Sequence, residues 1–127
     1  MVLNAEDGAG DTMALRLLAL GADPDRVLLL NTVPDTLGLS QRPIVLPGDC
    51  GFLRRAIQQV DARLVVVDPL VAFLGAEFNT FKDQDVRRAM LPLAIMADQC
   101  GVCVLCVRHL NKSGGRNAIY RGGCSIA

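Results

Sequence analysis

Three hydrophobic segments of this sequence lead into side chains that can do phosphate or acid–base chemistry. Glu6 follows the apolar start of the chain, Asp68 ends the run Leu-Val-Val-Val-Asp, and His109 follows the apolar run before it. If these segments are parallel strands, their carboxyl ends meet at one edge of a sheet, where open α/β sheets bind ligands. An aspartate for Mg²⁺, a glutamate for water and a histidine for a terminal phosphate would form half of a nucleotide-hydrolysis site.

Each of the three residues also has an ordinary structural explanation. An aspartate at a strand end can cap the next turn, as Asp68 would. Glu6 can be a solvated acid in a turn, and His109 can be a hydrogen-bonded loop histidine. The pattern of an apolar run ending in Asp is common in α/β proteins, so it is the shared position at three strand ends that favours a site.

The segments around these residues alternate between strand and helix patterns. Four segments are typical of parallel strands buried on both faces, and a fifth is a weaker strand candidate: residues 1–5, 26–32, 63–68 and 101–108, then 44–46. Helical spacing of apolar residues occurs in three others: residues 12–20, 49–60 and 82–99. This order predicts a doubly wound, mostly parallel sheet in one domain over residues 1–127.

Local signals predict where the helices begin and end. Asp11 or Thr12 is expected to cap the first helix, and Gly21 to end it in a left-handed conformation. Asp49 is expected to cap the second helix. Pro92 removes a backbone donor, so it should kink or divide the third. Residues 69–81 are expected to be irregular.

Composition narrows the classes of protein to consider. The chain has 127 residues, 51% of them hydrophobic, with 13 basic against 13 acidic side chains. A neutral balance argues against a broad nucleic-acid-binding surface, although it leaves local patches open. No stretch reaches the roughly 18 uninterrupted apolar residues of a membrane span, and no signal peptide is evident. We therefore expect a cytoplasmic protein without a membrane partner.

The cysteines resemble a metal-binding run but sit in a strand pattern. Cys100, Cys103 and Cys106 have C-x₂-C-x₂-C spacing. Side chains three apart on a strand face opposite sides, so Cys103 and Cys106 would not share an ion. We expect buried structural thiols rather than a metal site or a disulfide framework.

Three groups of residues together carry a specific resemblance. They are Asn4-Ala5-Glu6-Asp7-Gly8 with Arg16-Leu17 and Gly21-Ala22-Asp23, then Leu64-Val65-Val66-Val67-Asp68-Pro69-Leu70 with Phe73-Leu74-Gly75 and Asn79, then Arg108-His109-Leu110-Asn111-Lys112 with Tyr120-Arg121-Gly122-Gly123. In this order and spacing they resemble the AAA_25 type of RecA-like ATPase, similar to RepA-type hexameric replicative helicases. The resemblance covers nearly the whole chain.

The resemblance implies a fold and roles for single residues. The fold would be a three-layer RecA-like P-loop NTPase core with a mostly parallel twisted sheet, truncated at both ends. Asp68 matches the Walker B aspartate, which positions Mg²⁺ through water, and Glu6 matches the glutamate that orients and deprotonates the attacking water. His109 matches the histidine that contacts the γ-phosphate. Lys112 and Arg121 fall in the next region, where a role toward phosphate, neighbour or DNA competes with a plain solvated charge.

The implied function is that of an ATP-hydrolysing motor core of a DNA helicase or replication-type protein. ATP and Mg²⁺ would be the cofactors, single- or double-stranded DNA the partner, and a homo-hexamer the assembly. The chain lacks the G-x-x-x-x-G-K-[ST] loop that cradles the triphosphate. We expect that loop before Met1 and the arginine finger beyond Ala127. Such a fragment would expose a sheet face or edge, bind ATP weakly alone and self-associate.

Two other functions remain open at this stage. A non-catalytic RecA-like relic that acts as a binding or regulatory module would explain the missing lysine loop. An unrelated doubly wound domain of the response-regulator type would use Asp68 as a phosphoryl acceptor, but the order of the acids fits it poorly. An in-frame glycine–lysine loop in the DNA upstream of Met1 would favour the enzyme.

Overall fold

The computed structural model describes residues 1–35, 37–80 and 82–109, which form a mixed α/β fold. The strands are β1 (Val2–Asn4), β2 (Thr32–Pro34), β3 (Gln41–Pro43), β4 (Leu64–Asp68) and β5 (Cys103–Cys106). The helices are α1 (Ala14–Ala19), α2 (Cys50–Gln59), α3 (Leu70–Phe73) and α4 (Asp83–Cys100). A π-helical turn, Ala9–Met13, leads into α1, and a 3₁₀ turn spans Pro24–Arg26. The predicted alternation of strand and helix is confirmed in its main elements.

The central sheet has three parallel strands in the order β1-β4-β5. Asn4 lies opposite Asp68 across the first pair, and Val67 lies opposite Cys106 across the second. Short runs of Val, Leu and Cys suit this position, since β-branched and aliphatic side chains pack well on a pleated surface. The register brings the carboxyl ends of all three strands to the same edge.

Two of the predicted strands take a different form. The segment predicted over residues 26–32 makes only an isolated parallel bridge between Leu29 and Val2. Val2 donates its N–H to Leu28 O over 2.8 Å and accepts from Leu30 N–H over 2.9 Å. The weaker strand predicted at residues 44–46 does not form. The strand in this region is β3, just before it, which pairs antiparallel with β2. Leu46 makes a single bridge to Leu74.

The core lies between one face of the sheet and helices α2 and α4. Leu3, Val65 and Val67 line that face and are almost fully buried. Leu53 and Ile57 are buried on α2, and Leu93 and Met96 on α4, at the spacing of one helical face. These residues form a single hydrophobic cluster, which fixes the strands that lead to the candidate site.

Among the described residues the other face of the sheet is open, so β4 and β5 lack the burial on both sides that was predicted for them. Burial alternates along β4 and β5, and Leu64 and Leu105 are 44% and 52% exposed. Helix α1 buries none of its residues, and a cleft of about 730 Å³ lies between it and this face. A continuous apolar run favours burial on both faces, but the layer that would cover the second face must come from elsewhere in the chain. The parallel α/β part of the predicted fold is therefore confirmed, whereas the described residues do not confirm a full three-layer core.

Helix ends follow the predicted positions but not always the predicted contacts. Gly21 has φ +77° after α1, as expected of a glycine that ends a helix. The first helical turn begins at Ala9, ahead of the expected caps Asp11 and Thr12. Asp49 precedes α2 but makes no side-chain cap, because its carboxylate binds Arg42 and Val45 N–H instead.

Pro92 lies inside α4, which continues through it to Cys100, so the helix is not divided. The segment after β4, predicted to be irregular, contains the four-residue helix α3. No helix in the described ranges is long and apolar enough to cross a membrane.

The four cysteines that the structure describes are only partly buried, and the expectation of buried thiols is wrong for Cys103. Cys103 is exposed on the open face of β5, while Cys50, Cys100 and Cys106 are half-buried. Burial raises the pKa of the Cys50 and Cys106 thiols. Within the part of the chain that the structure describes, no cluster of three metal-ligating side chains occurs.

Among these four cysteines, alkylation should therefore select Cys103. A raised pKa leaves less thiolate at pH 8, and burial limits access, so Cys50 and Cys106 should react at least about tenfold more slowly than Cys103. Peptide mapping by mass spectrometry after brief iodoacetamide treatment measures each rate. Equal rates at Cys103 and Cys106 would contradict the alternating burial of β5.

Candidate functional site

The side chains of Glu6, Asp68 and His109 lie together at the carboxyl edge of the sheet. His109 Nε2 is 3.2 Å from Glu6 Oε2 and 4.0 Å from Asp68 Oδ1. The side chains of Glu6 and His109 are each 57% exposed, whereas that of Asp68 is 38% exposed. Two carboxylates and one imidazole thus share a surface that solvent and a ligand can reach.

The turn after β1 holds Glu6 through the buried side chain of Asn4. Asn4 Oδ1 accepts the N–H groups of Glu6 and Asp7 over 2.8 and 3.0 Å. An asparagine that bonds the backbone two and three residues ahead stabilises a local turn. The N–H of Asn4 donates to Asn31 Oδ1 over 3.0 Å, which ties the turn to the segment beyond α1. These contacts orient the backbone of Glu6 toward the sheet edge.

Asp68 is the last residue of β4 and sits directly beside that turn. Its carbonyl accepts Ala5 N–H over 3.1 Å, which extends the pairing with β1 by one bond. Its Oδ1 atom is buried and, among the described residues, has no hydrogen-bond partner. A buried oxygen without a donor is costly, because it has lost its water and gained nothing in return. This oxygen suits a ligand that supplies donors, such as a hydrated Mg²⁺ ion.

His109 follows β5 by three residues, and the chain between them is anchored on both sides. Val107 donates its N–H to Val67 O over 2.9 Å and accepts from Leu70 N–H over 2.8 Å. Arg108 then donates from its guanidinium to Thr80 O over 2.7 Å. These bonds place His109 above the end of β4.

An ion pair lies beside the cluster. Arg16 donates to Asp7 Oδ2 over 2.6 Å, so the guanidinium engages the neighbour of Glu6 rather than Glu6 itself. Both side chains are solvent-accessible, and such pairs stabilise by no more than about 1 kcal/mol. The pair leaves Glu6 to face His109.

Sequence reasoning assigned no role to several residues that support the site. Asn4 and Arg108 belong to the motifs quoted above, and Asn4 carries the recognisable signal of an asparagine just before a polar glycine turn. Asn31 had no such signal, because its contact with Asn4 spans 27 residues. Lys112 and Arg121 lie outside the described residues, so their predicted roles are untested.

The comparison with protein families identifies the group to which these strand ends belong. The model of the AAA_25 family, described as an AAA domain, matches residues 1–115. The chain belongs to this AAA domain family. The resemblance inferred from the motifs is therefore confirmed, and the match includes Glu6, Asp68 and His109.

Membership makes this chain an ATPase-type domain and gives the clustered strand ends a chemical context. A domain of this type suggests nucleotide binding, and open α/β sheets bind their ligands at the carboxyl edge. No curated protein and no solved structure matches the chain in the corresponding searches.

Proposed function

We propose that this AAA domain is the ATP-hydrolysing motor core of a DNA helicase or replication-type protein. The observation that carries the proposal is the cluster of His109 with Glu6 and Asp68 at the carboxyl edge of the parallel sheet. A base, a metal-binding carboxylate and a polar sensor of phosphate are what hydrolysis of a phosphoanhydride requires at one place.

The three residues differ in environment, and the difference supports distinct roles. The unpartnered Oδ1 of Asp68 suits Mg²⁺ held through water. When bound, the ion would neutralise charge that develops on the phosphates. Glu6, more exposed and held by its turn, suits the base that takes a proton from the attacking water. His109 can donate from Nε2 to a phosphate oxygen, and its contact with Glu6 would link nucleotide state to the chain after β5.

DNA and a hexameric assembly remain parts of the proposal that rest on the family resemblance. The formal charge of zero argues against a broad basic surface for DNA, so a DNA contact would have to be a local patch. Lys112 and Arg121 are the basic residues that we propose for contact with phosphate, a neighbouring subunit or DNA. Salt dependence of DNA binding in their alanine variants would measure that contribution.

A second candidate function is a non-catalytic binding or regulatory module. The observation that favours it is the lack of a G-x-x-x-x-G-K-[ST] motif in the 127 residues. The backbone nest and lysine of that loop contact the β- and γ-phosphates directly. A domain that works without them would use the strand-end cluster to bind a partner rather than to turn over ATP.

A nucleotide titration of the 127-residue chain tests how far this cluster binds ATP unaided. Calorimetry with ATP and Mg²⁺ should show no micromolar binding, because the chain has no phosphate-cradling lysine loop. A micromolar dissociation constant would show that the chain holds the triphosphate by other groups.

An ATPase assay of the full-length gene product decides between the two functions. Turnover that requires Mg²⁺ supports the motor. Folded protein that neither binds nor hydrolyses ATP would reject the motor and leave the binding module.

A further inference from the structure

The side chain of Asn31 takes the place of a backbone group beside β1. Val2 donates its N–H to Leu28 O and accepts from Leu30 N–H, as in a parallel ladder. If that ladder continued, the next donor, Asn4 N–H, would reach the carbonyl of Leu30. It donates instead to Oδ1 of Asn31 over 3.0 Å. The carboxamide thus satisfies the backbone donor of a residue that is 5% exposed.

Asn31 is itself held by the core of the domain. Its carbonyl accepts Ile44 N–H over 3.3 Å, and Ile44 is almost fully buried. The preceding residue, Leu30, packs against the hydrophobic cluster. The backbone of Asn31 is therefore already ordered, so the hydrogen bond of its side chain to Asn4 costs little further conformational entropy.

The contact continues from Asn4 to the residue proposed as the base. Asn4 Oδ1 accepts the N–H groups of Glu6 and Asp7 over 2.8 and 3.0 Å. Two carboxamides in series thus connect Asn31 to the backbone of Glu6. Both use the amide oxygen as an acceptor, so aspartate at position 31 could make the same bond, whereas leucine could not.

We propose that Asn31 is a positioning residue for Glu6, and that it sets the rate of ATP hydrolysis through Asn4 rather than by contact with the substrate. This role rests on the proposed function, in which Glu6 takes a proton from the attacking water. A base must lie within hydrogen-bond reach of that water, and a displacement of about 1 Å can reduce a rate by about 100-fold. Without the Asn31 oxygen, the buried N–H of Asn4 loses its acceptor, and the end of β1 must shift to find another.

Steady-state kinetics of the full-length gene product test this role. Asn31→Leu has a similar volume and no acceptor. It should lower kcat at least about tenfold and leave KM for ATP within about twofold, because it displaces a base rather than a binding group. Asn31→Asp keeps the acceptor and should hold kcat within about threefold of wild type. Asn31→Ser, which stays polar but is shorter, should lower kcat in the same direction if the leucine variant does not fold.

A double-mutant cycle with Glu6→Gln separates positioning from a general loss of structure. If Asn31 acts through the carboxylate of Glu6, Asn31→Leu should change kcat less than about twofold once Glu6→Gln is present. A purely structural role would reduce kcat by the same factor in both backgrounds. Ile57→Val is the matched control, because it trims a buried core residue near the end of α2 that leads into β4. It should lower the unfolding midpoint and leave kcat within about twofold of wild type.

Amide hydrogen exchange gives a measurement that needs no nucleotide. In NMR spectra of the 127-residue chain, Asn31→Leu should speed exchange at the N–H groups of Glu6 and Asp7 at least about twofold, as loss of one neutral hydrogen bond implies. Asn31→Asp should leave these two exchange rates unchanged, because it retains the acceptor.

These measurements distinguish the role of Asn31 from that of Glu6. Loss of turnover in Glu6→Gln with a wild-type kcat in Asn31→Leu would overturn the role of Asn31 and leave the proposed function intact. Full turnover in Glu6→Gln would instead reject Glu6 as the base and, with it, a kinetic role for Asn31. Unchanged amide exchange at Glu6 and Asp7 in Asn31→Leu would show that Asn31 does not hold this turn, whatever the turnover.

Discussion

Replacing Asp49 with alanine should lower the free energy of unfolding by about 1–3 kcal/mol, because it removes a buried acceptor that binds a backbone N–H and a half-exposed guanidinium. Asp49 is only 8% exposed. Its carboxylate accepts from Arg42 over 2.8 and 2.7 Å and from Val45 N–H over 2.7 Å. Truncation leaves these donors without their acceptor. Urea denaturation followed by circular dichroism measures the loss.

The same contact predicts how stability changes with pH. Hydrogen bonds from Arg42 hold the pKa of Asp49 below its ordinary value, although burial opposes this. A carboxyl whose pKa is lower in the folded chain stabilises the fold above its unfolded pKa, which is about 4. That contribution is lost as pH falls through the lower, folded pKa. Stability should therefore decline in acid, and less steeply in Asp49→Asn.

A matched control separates this contact from a general effect of charge. Asp98→Asn removes a carboxylate from the exposed surface of α4, and it should change stability by less than about 0.5 kcal/mol. The pKa of Asp35 is also lowered, mainly by its hydrogen bond from Ser40, so some acid dependence should persist in Asp49→Asn. An unchanged acid slope in Asp49→Asn would contradict the assignment.

Asp49 also shows what the sequence can and cannot indicate about the fold. Its position before an apolar helical pattern correctly marks the start of α2. Its bonding partner, Arg42, lies in β3, a strand that the local pattern does not predict. The sequence therefore predicted that the Asp49 carboxylate would cap α2, whereas it binds Arg42. The period of apolar residues predicts elements, whereas the partner of a polar side chain depends on how distant elements meet.

The open face of the sheet also depends on how distant elements meet. The run Leu64–Asp68 predicts a strand because of its side chains, and β4 forms there. Burial on both sides would require a second layer whose presence no residue of that run encodes. In the structure Val65 and Val67 are buried, while Leu64 faces the open side.

The candidate site was predictable where it depends on strand ends. Parallel strands that end at Asn4, Asp68 and Cys106 lead the chain to one edge, and the side chains predicted there lie together. The supporting contact between Asn4 and Asn31 was not predictable, because the return of the chain beyond α1 sets it. The buried orientation of Asp68 Oδ1 likewise depends on packing. The catalytic roles remain predictions.

Glu6→Gln should reduce ATP turnover by the full-length gene product by at least about 100-fold, since loss of a general base costs that much. Asp68→Asn should reduce turnover by a similar factor, because it weakens the hold on Mg²⁺, whose charge stabilisation is worth several kcal/mol. Glu6→Gln should lower kcat with little change in nucleotide affinity, because it removes a proton acceptor and keeps the turn set by Asn4. Asp68→Asn should also raise the Mg²⁺ concentration needed for half-maximal turnover, because a neutral amide replaces the carboxylate beside the metal. Steady-state ATPase assays across a Mg²⁺ series distinguish these effects.

Asp61→Asn is the matched control, because it removes a carboxylate from the loop before β4, at the opposite edge of the sheet. The Asp61 side chain is 80% exposed and pairs only with the exposed Arg63 among the described residues. Asparagine also tolerates its positive φ of 47°. Full turnover in Asp61→Asn with loss in the other two would attribute the chemistry to the strand-end cluster. Retained hydrolysis in both Glu6→Gln and Asp68→Asn would instead place the chemistry elsewhere, since neither carboxylate would then be needed.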